Sequence, residues 1–369
     1  MHNIWVMYGT RADEMAYRML EAMGVAEEIK ALGVNNPLIG LKPNLVVAQP
    51  SHWGATTDPA LVAGVIRYLR EHGFCRIMIM ESSWMGERTE DAFRHCGYMA
   101  LQQEFDVPLI DLKKDDYEER DINGYKLLVC RQPLQVDYLI NLPVLKAHCQ
   151  TRITCALKNM KGCVPDAEKR RFHRLGLHEP IAYLNKALRP HLTVVDGIIG
   201  DLTHEEGGNP VRMGRVIAGR DPVLIDAYVA ELLGYEVNDI PYIEMAAALG
   251  VGRAELLPGD VLALNRVESQ AVEEIEPGFQ VDLLRPWFTE KEACSPCVGG
   301  LVHALQRLRE EGKLPGLPQT IVIGQGYKNR QGDGIGIGTC TGGYSSCLKK
   351  CPPTAREIIN FLENYLAGR

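Results

Sequence analysis

The chain has 369 residues, 46% of them hydrophobic and 24% charged, with a formal net charge of −7. That composition is ordinary for a soluble globular protein with room for two or three domains, and the acidic balance gives no electrostatic footing for a general nucleic-acid or anionic-membrane role. No run of about 18 apolar residues occurs, and Met1-His2-Asn3-Ile4-Trp5 lacks the layout of a signal peptide, so a cytoplasmic location is expected. Eleven cysteines, an odd number spread over a large chain, argue against a secreted disulfide framework and for reduced thiols with metal ligation. Cys75, Cys96 and Cys130 read as buried structural thiols.

In chain order, residues 3–8 read as a strand, and Thr10 caps a helix carrying Met15, Met19, Leu20 and Met23 on one face. Residues 38–47 form a second strand. Its Lys42-Pro43-Asn44 belongs at a strand end or bulge, because proline cannot donate to a ladder. Asp58-Pro59 opens a helix with Leu61, Val65, Ile66 and Leu69 inward, and residues 76–80 follow as a strand. A helix over 89–105 and a strand over 107–112 continue the alternation, and residues 138–142 run as a strand into Pro143. The pattern then turns irregular and basic through Arg174, a reversal in an acidic protein that suggests a place for an anionic ligand. A strand over 192–195 ends at Asp196-Gly197, and Asp221-Pro222 opens a further helix. The expected fold is α/β: a mostly parallel sheet with helices on both faces, whose ligands gather beyond the carboxyl ends of the strands.

Residues 256–286 change character, with acidic residues and three prolines, which divides the chain into a core over 1–255 and a smaller cysteine-bearing α/β domain over 256–369. The second part reads as a helix over 298–310, a strand over 320–323, a glycine-rich loop over 324–338 and a last helix. That helix carries Ile358, Phe361, Leu362, Tyr365 and Leu366 as an apolar stripe. Gly207-Gly208-Asn209-Pro210 is a turn. The loop Gly332-Asp333-Gly334-Ile335-Gly336-Ile337-Gly338 lacks the spacing of a nucleotide fingerprint and any Gly-Lys-Ser/Thr end.

Two stretches carry chemistry. Cys294-Ser295-Pro296-Cys297 and the later Cys340, Cys347 and Cys351 form a candidate metal or cluster site, each group next to a helix start: Ser295-Pro296 as N-cap and first-turn proline, Thr354-Ala355-Arg356-Glu357 as a capping box. Helix N-termini favour the anionic sulfur of a thiolate-ligated centre. Structural zinc prefers paired close spacings, whereas an iron–sulfur cluster tolerates irregular ones and often ends on Cys-Pro. A [4Fe-4S] cluster on Cys294, Cys297 and Cys351 with either Cys340 or Cys347 is therefore expected, with zinc as alternative metal. The other stretch contains Lys146, His148, Lys158, Asn159 and Lys161, with His173 beyond it. Histidine titrates near neutrality and lysine holds an anion, so Lys146, His148 and Lys158 are candidate catalytic residues, and Asn159 and Lys161 candidate cofactor-binding ones.

Tyr138-Leu139-Ile140-Asn141-Leu142-Pro143-Val144-Leu145-Lys146-Ala147-His148, followed by Ala156-Leu157-Lys158-Asn159-Met160-Lys161-Gly162, resembles the bacterial and archaeal family named for the domain of unknown function 362. Lys42-Pro43-Asn44-Leu45-Val46 and Asp221-Pro222-Val223-Leu224-Ile225-Asp226-Ala227 fit the same family, and the resemblance covers roughly residues 38–234. It implies a C-terminal iron–sulfur element, of which Gly338-Thr339-Cys340 and Lys350-Cys351-Pro352-Pro353 look like the last part, with Lys350 in place of a glycine; the resemblance thus implies a ligand set of Cys294, Cys297, Cys340 and Cys351, with Cys347 as alternative. A fainter similarity links the spacing of His148, Lys158 and His173 to the nickel-pincer lactate racemases, and it implies His173 as a further candidate cofactor-binding residue. That family's His-Arg pair is absent, since Glu81-Ser82-Ser83 stands near its place, so the similarity implies shared architecture and pocket location without licensing a racemase assignment.

The expected function is a [4Fe-4S] protein, redox or electron-transferring, that serves a small anionic substrate or cofactor in the basic pocket or a redox partner protein. The alternatives are a non-redox, racemase- or isomerase-like enzyme with a structural cluster and a zinc-binding accessory or maturation protein. No nucleic-acid or membrane partner is expected, and homo-oligomerisation stays open.

Overall fold

The computed structural model describes residues 2–266 and 281–368. The chain forms two compact units. The first takes Met1–Ala147, Ile153–Lys169 and His178–Gly278; the second takes His148–Arg152, Arg170–Leu177 and Phe279–Arg369.

The first unit is built on an eight-stranded sheet of β1 (Ile4–Tyr8), β2 (Ile39–Pro43), β3 (Ile77–Glu81), β4 (Leu109–Asp111), β5 (Tyr138–Leu142), β6 (Leu192–Asp201), β7 (Pro210–Gly219) and β8 (Val261–Ala263). Their order across the sheet is β8-β1-β7-β6-β5-β2-β3-β4. Seven strands run one way and β7 alone runs against its neighbours β1 and β6. Every residue of β2, β3 and β5 is buried, as expected of parallel strands covered by helices on both faces. The mostly parallel α/β fold is thus as expected, with one reversed strand that the sequence reading missed. Because β8 lies past residue 255, the first unit runs further along the chain than the expected 1–255.

Local signals account for much of this unit. Asp58 caps helix Pro59–Glu71 by accepting from Ala60 N, and Asp221 caps Pro222–Leu232 by accepting from Val223 N and Leu224 N, both with the first-turn proline that suits a helix start. Helix Pro59–Glu71 buries Leu61, Val62, Val65, Ile66 and Leu69, each worth about 2 kcal/mol of transfer free energy. A side chain at Gly64 would collide with the Asp13 carbonyl of helix Ala12–Ala22, so glycine sets how closely these two helices pack.

Several expectations are corrected. Arg11, without a side-chain cap bond, stands at the N-cap where Thr10 was expected. Residues 89–105 form two helices, Thr89–His95 and Tyr98–Phe105, because Gly97 takes φ 83° between them. β6 continues past Gly197 through a register shift to pair with β7. A hairpin, Tyr117–Ile122 with Tyr125–Cys130, was missed although its turn is Asn123-Gly124, both with positive φ, the favoured sequence for a two-residue hairpin turn. Cys75 is exposed, whereas Cys96 and Cys130 are buried.

The second unit holds a four-stranded parallel sheet in sequence order: β9 (Phe288–Glu290), β10 (Ile321–Ile323), β11 (Gly332–Ile337) and β12 (Tyr344–Leu348). Val298, Leu301 and Leu305 of helix Ser295–Glu310 share a core with Ile321, Ile323, Ile335, Ile337, Ile358 and Leu362. The expected loop over 324–338 therefore contains a strand; alternate glycines hid it, since only Ile335 and Ile337 mark its buried face. Helix Ala355–Ala367 starts with the expected capping box, Glu357 N on Thr354 Oγ1 at 3.3 Å and Thr354 N on Glu357 Oε2 at 2.9 Å.

Candidate functional site

In the first unit, charged and amide side chains collect at the carboxyl ends of β2, β3 and β5, where parallel sheets present their ligands. Lys42, the fourth residue of β2, and Glu81, the last of β3, form a buried ion pair at 2.8 Å. Glu81 Oε2 also accepts from Leu45 N and its Oε1 from Ser82 N, while Lys42 Nζ donates to Pro43 O. Every charged atom of the pair has partners, which is what makes its burial tolerable. Gly162 lies directly over it: an added Cβ would stand 2.7 Å from Lys42 Nζ and closer still to Glu81 Oε1.

The basic stretch wraps onto this edge. Asp226 accepts from Ala156 N (2.7 Å) and Leu157 N (3.1 Å), anchoring the turn Ala156–Asn159. Burial pushes the Asp226 carboxyl up to about 7, and likewise that of Asp196, which accepts from Asp58 N and Ile198 N. Asn159 Nδ2 donates to Asn141 Oδ1 at 2.8 Å and to Lys42 O at 3.2 Å; its observed role is to fasten the turn to the strand ends. Lys158 Nζ meets Glu205 Oε1 at 2.7 Å and Thr154 Oγ1 at 3.2 Å. Lys146, fully buried, donates to Ala55 O (2.7 Å) and Glu205 O (2.8 Å), and burial pulls its ammonium down to about 8 against the pull of Glu205. Lys169 serves Ser82 O and Ser83 O in the same way, also pulled down to about 8 by burial.

The structure thus joins Lys146 and Lys158 through Glu205. Lys161 is half-buried next to Gly162. His148 and His173 are buried and belong to the second unit. Backbone amides of Gln150 (3.0 Å) and Thr151 (3.1 Å) both donate to His148 Nδ1, which places the proton of the neutral ring on Nε2. The sequence reading missed Glu81, Glu205, Lys169 and Asp226 as members of this network. Glu81 stood in view beside Ser82-Ser83, but its partner Lys42 is 39 residues away and no local spacing links them.

In the second unit the thiols follow the strand ends. Cys294 comes four residues after β9, Cys340 three after β11 and Cys351 three after β12. The ladder continues beyond β11 through Gly338 N to Leu348 O and Thr339 N to Lys350 O, which draws the Cys340 and Cys351 segments side by side. Burial raises the Cys340 thiol, and the nearby Cys351 adds to the effect. Between β9 and β11, Gln325 follows β10 and its amide donates to Cys294 Sγ at 3.5 Å. Cys294 itself is the N-cap of helix Ser295–Glu310, one residue earlier than the expected Ser295, and Cys297 lies in its first turn. Ser295 Oγ instead donates to Gln150 Oε1 at 2.7 Å. Cys347 lies within β12 with its sulfur 3.5 Å from Thr341 Oγ1.

Among the described residues no three His, Cys, Asp or Glu side chains converge to hold a single metal ion, and no disulfide forms. No helix among the described residues is long and apolar enough to cross a membrane.

A thylakoid-associated protein of Synechocystis sp. is 28% identical over 223 residues, which is 57% of this chain and 67% of that protein. The lactate racemase apoprotein of Thermoanaerobacterium thermosaccharolyticum is similar in structure with a TM-score of 0.40 at 13% identity, over 64% of this chain and 57% of that one. A structural-genomics protein of Thermotoga maritima gives 0.39 at 12%, over 65% and 60%. The chain spans less than two thirds of either solved structure, and at these scores neither likeness carries an argument about function. The family described as domain of unknown function (DUF362) matches residues 39–231, more than half of the chain, and the protein belongs to that family.

Proposed function

We propose that this protein is a [4Fe-4S] protein of redox or electron-transfer function, with the cluster held by Cys294, Cys297, Cys340 and Cys351 and a small anionic substrate or cofactor held at Lys146 and Lys158. The observation that carries the reading is the placement of Cys294, Cys340 and Cys351 beyond the carboxyl ends of three parallel strands of one sheet, with Cys297 in the adjoining helical turn. When bound, such a cluster supplies single electrons. The chain's own part is to present four sulfurs, to place a helix N-terminus behind two of them, and to offer the Gln325 amide to Cys294. Cys347 is left out of the ligand set because its sulfur is engaged inside β12. Unbridged thiols suit a reducing compartment, so the proposal keeps a cytoplasmic location.

Protein purified without oxygen should be brown, with broad absorption near about 400 nm that dithionite bleaches, and should contain iron and acid-labile sulfide. Colourless protein with stoichiometric zinc would refute the reading. A second reading, a non-redox racemase- or isomerase-like enzyme with a structural cluster, is favoured by the fixed tautomer of His148, which suits acid–base work. Changing His148 or Lys158 to alanine separates the two, because a relay keeps its cluster and potential whereas an acid–base enzyme loses turnover.

A further inference from the structure

The geometry points to a carboxylate-binding site on Lys158 that the chain fills with its own Glu205, so that Glu205 competes with a small monocarboxylate ligand for the Lys158 ammonium. The inference rests on the anion-site half of the proposed function and is independent of the cluster. Lys158 is 5% exposed, with Glu205 Oε1 and the Thr154 hydroxyl on its ammonium. A carboxylate delivered from solution would meet the same ammonium and hydroxyl. The Glu205 side chain, at 17% exposed, is the more accessible member of the pair, so exchange requires it to turn outward.

The backbone carrying Glu205 is held without the help of its carboxylate. Lys146 Nζ takes Glu205 O and Ala55 O. Buried Asp201 accepts from Thr203 N, His204 N and Asn209 N, and Gly208 N donates to Trp53 O. Gly207 fits this seat because a side chain there would stand 2.5 Å from Trp53 O. The loop over 201–209 is thus held by contacts other than the Glu205–Lys158 ion pair. Charge selects the ligand. A monocarboxylate that replaces Glu205 leaves the balance among Lys146, Lys158, Asp201 and Glu206 unchanged, whereas a phosphate dianion would bring a second negative charge beside two acidic residues.

The test uses the full chain, with acetate and formate as probes and chloride at equal ionic strength as control, read by calorimetry. Glu205→Ala should bind acetate about tenfold or more tighter than the unmodified protein, the scale expected for removing one competing ion pair. Adding Lys158→Met should abolish that binding. Glu205→Gln, which keeps size and removes charge, should fall between and serves as the test if the alanine variant does not fold. Equal, Lys158-dependent affinity with and without the Glu205 carboxylate would overturn the competition while leaving the anion site standing. Absence of acetate and formate binding in every variant, or binding that persists without Lys158, would overturn both.

Discussion

The two units handle reactive side chains in opposite ways. At the strand ends of the first, each buried charge is matched within the protein: Lys42 by Glu81, Lys158 by Glu205, Lys146 by two carbonyls, Lys169 by serine carbonyls. In the second, the thiols are brought to one rim by strand topology, and Gln325 is the side-chain amide seen on a ligand-candidate sulfur among the described residues. The difference teaches what each region needs from outside. A network that is internally paired can stand without a ligand and exchanges one internal group when it binds one. A rim of soft donors would, with the proposed cluster bound, gain thiolate–metal bonds that the protein alone does not supply.

The sharpest break of this contrast is all-or-none. Cys294→Ser, Cys297→Ser, Cys340→Ser or Cys351→Ser should remove most of the bound iron measured after anaerobic purification, whereas Cys347→Ser should retain it. Iron loss on changing Cys347 together with retention on changing Cys340 would exchange their roles. In the first unit, Lys42→Met leaves Glu81 as an uncompensated buried charge, and denaturant unfolding should show a loss of about 3–5 kcal/mol. Changing both, to Met and Leu, should recover much of that loss, because the pair's desolvation cost disappears with the pair.

A smaller effect concerns pH. The carboxyls of Asp196 and Asp226 are raised to about 7 by burial, well above the value of about 3.9 they take when unfolded. Between these values the unfolded chain has released a proton that the folded chain still holds. Their contribution to stability is therefore full below about pH 4 and is lost as pH rises to about 7. Asp226→Asn should flatten the stability profile of the protein across this window, as followed by urea unfolding at each pH; a profile of unchanged slope would show that Asp226 titrates normally. The smallest effect belongs to the rim. Gln325→Leu should keep the cluster and lower its midpoint potential, because an N–H bond to a ligand sulfur favours the more negative reduced state. An unchanged or raised potential would mean that the Gln325 bond to Cys294 has no electronic role.

What could be read without the fold were features whose partners lie within a few residues. Asp58-Pro59 and Asp221-Pro222 open helices because cap and capped amides are two or three residues apart. The Thr354–Glu357 box and the Ile358–Leu362 stripe follow the same short-range geometry. The apolar run over 138–142 read as a strand ending at Pro143, as observed. The separate motifs of residues 38–234 pointed to the family.

Tertiary structure alone decided the rest, because those choices depend on groups far apart in the chain. β7 joined the sheet in reverse through a glycine-rich turn whose course the local pattern does not encode. Asn159 became a fastener because Lys42 O, 117 residues earlier, lies within reach of its amide. Lys158 became paired because Glu205 arrives from a loop 47 residues later. Sequence by itself determined which residues could bear charge or bind metal; folding decided which of those charges are already answered from within, since a buried ammonium or carboxylate is tolerated only where the chain brings it a partner.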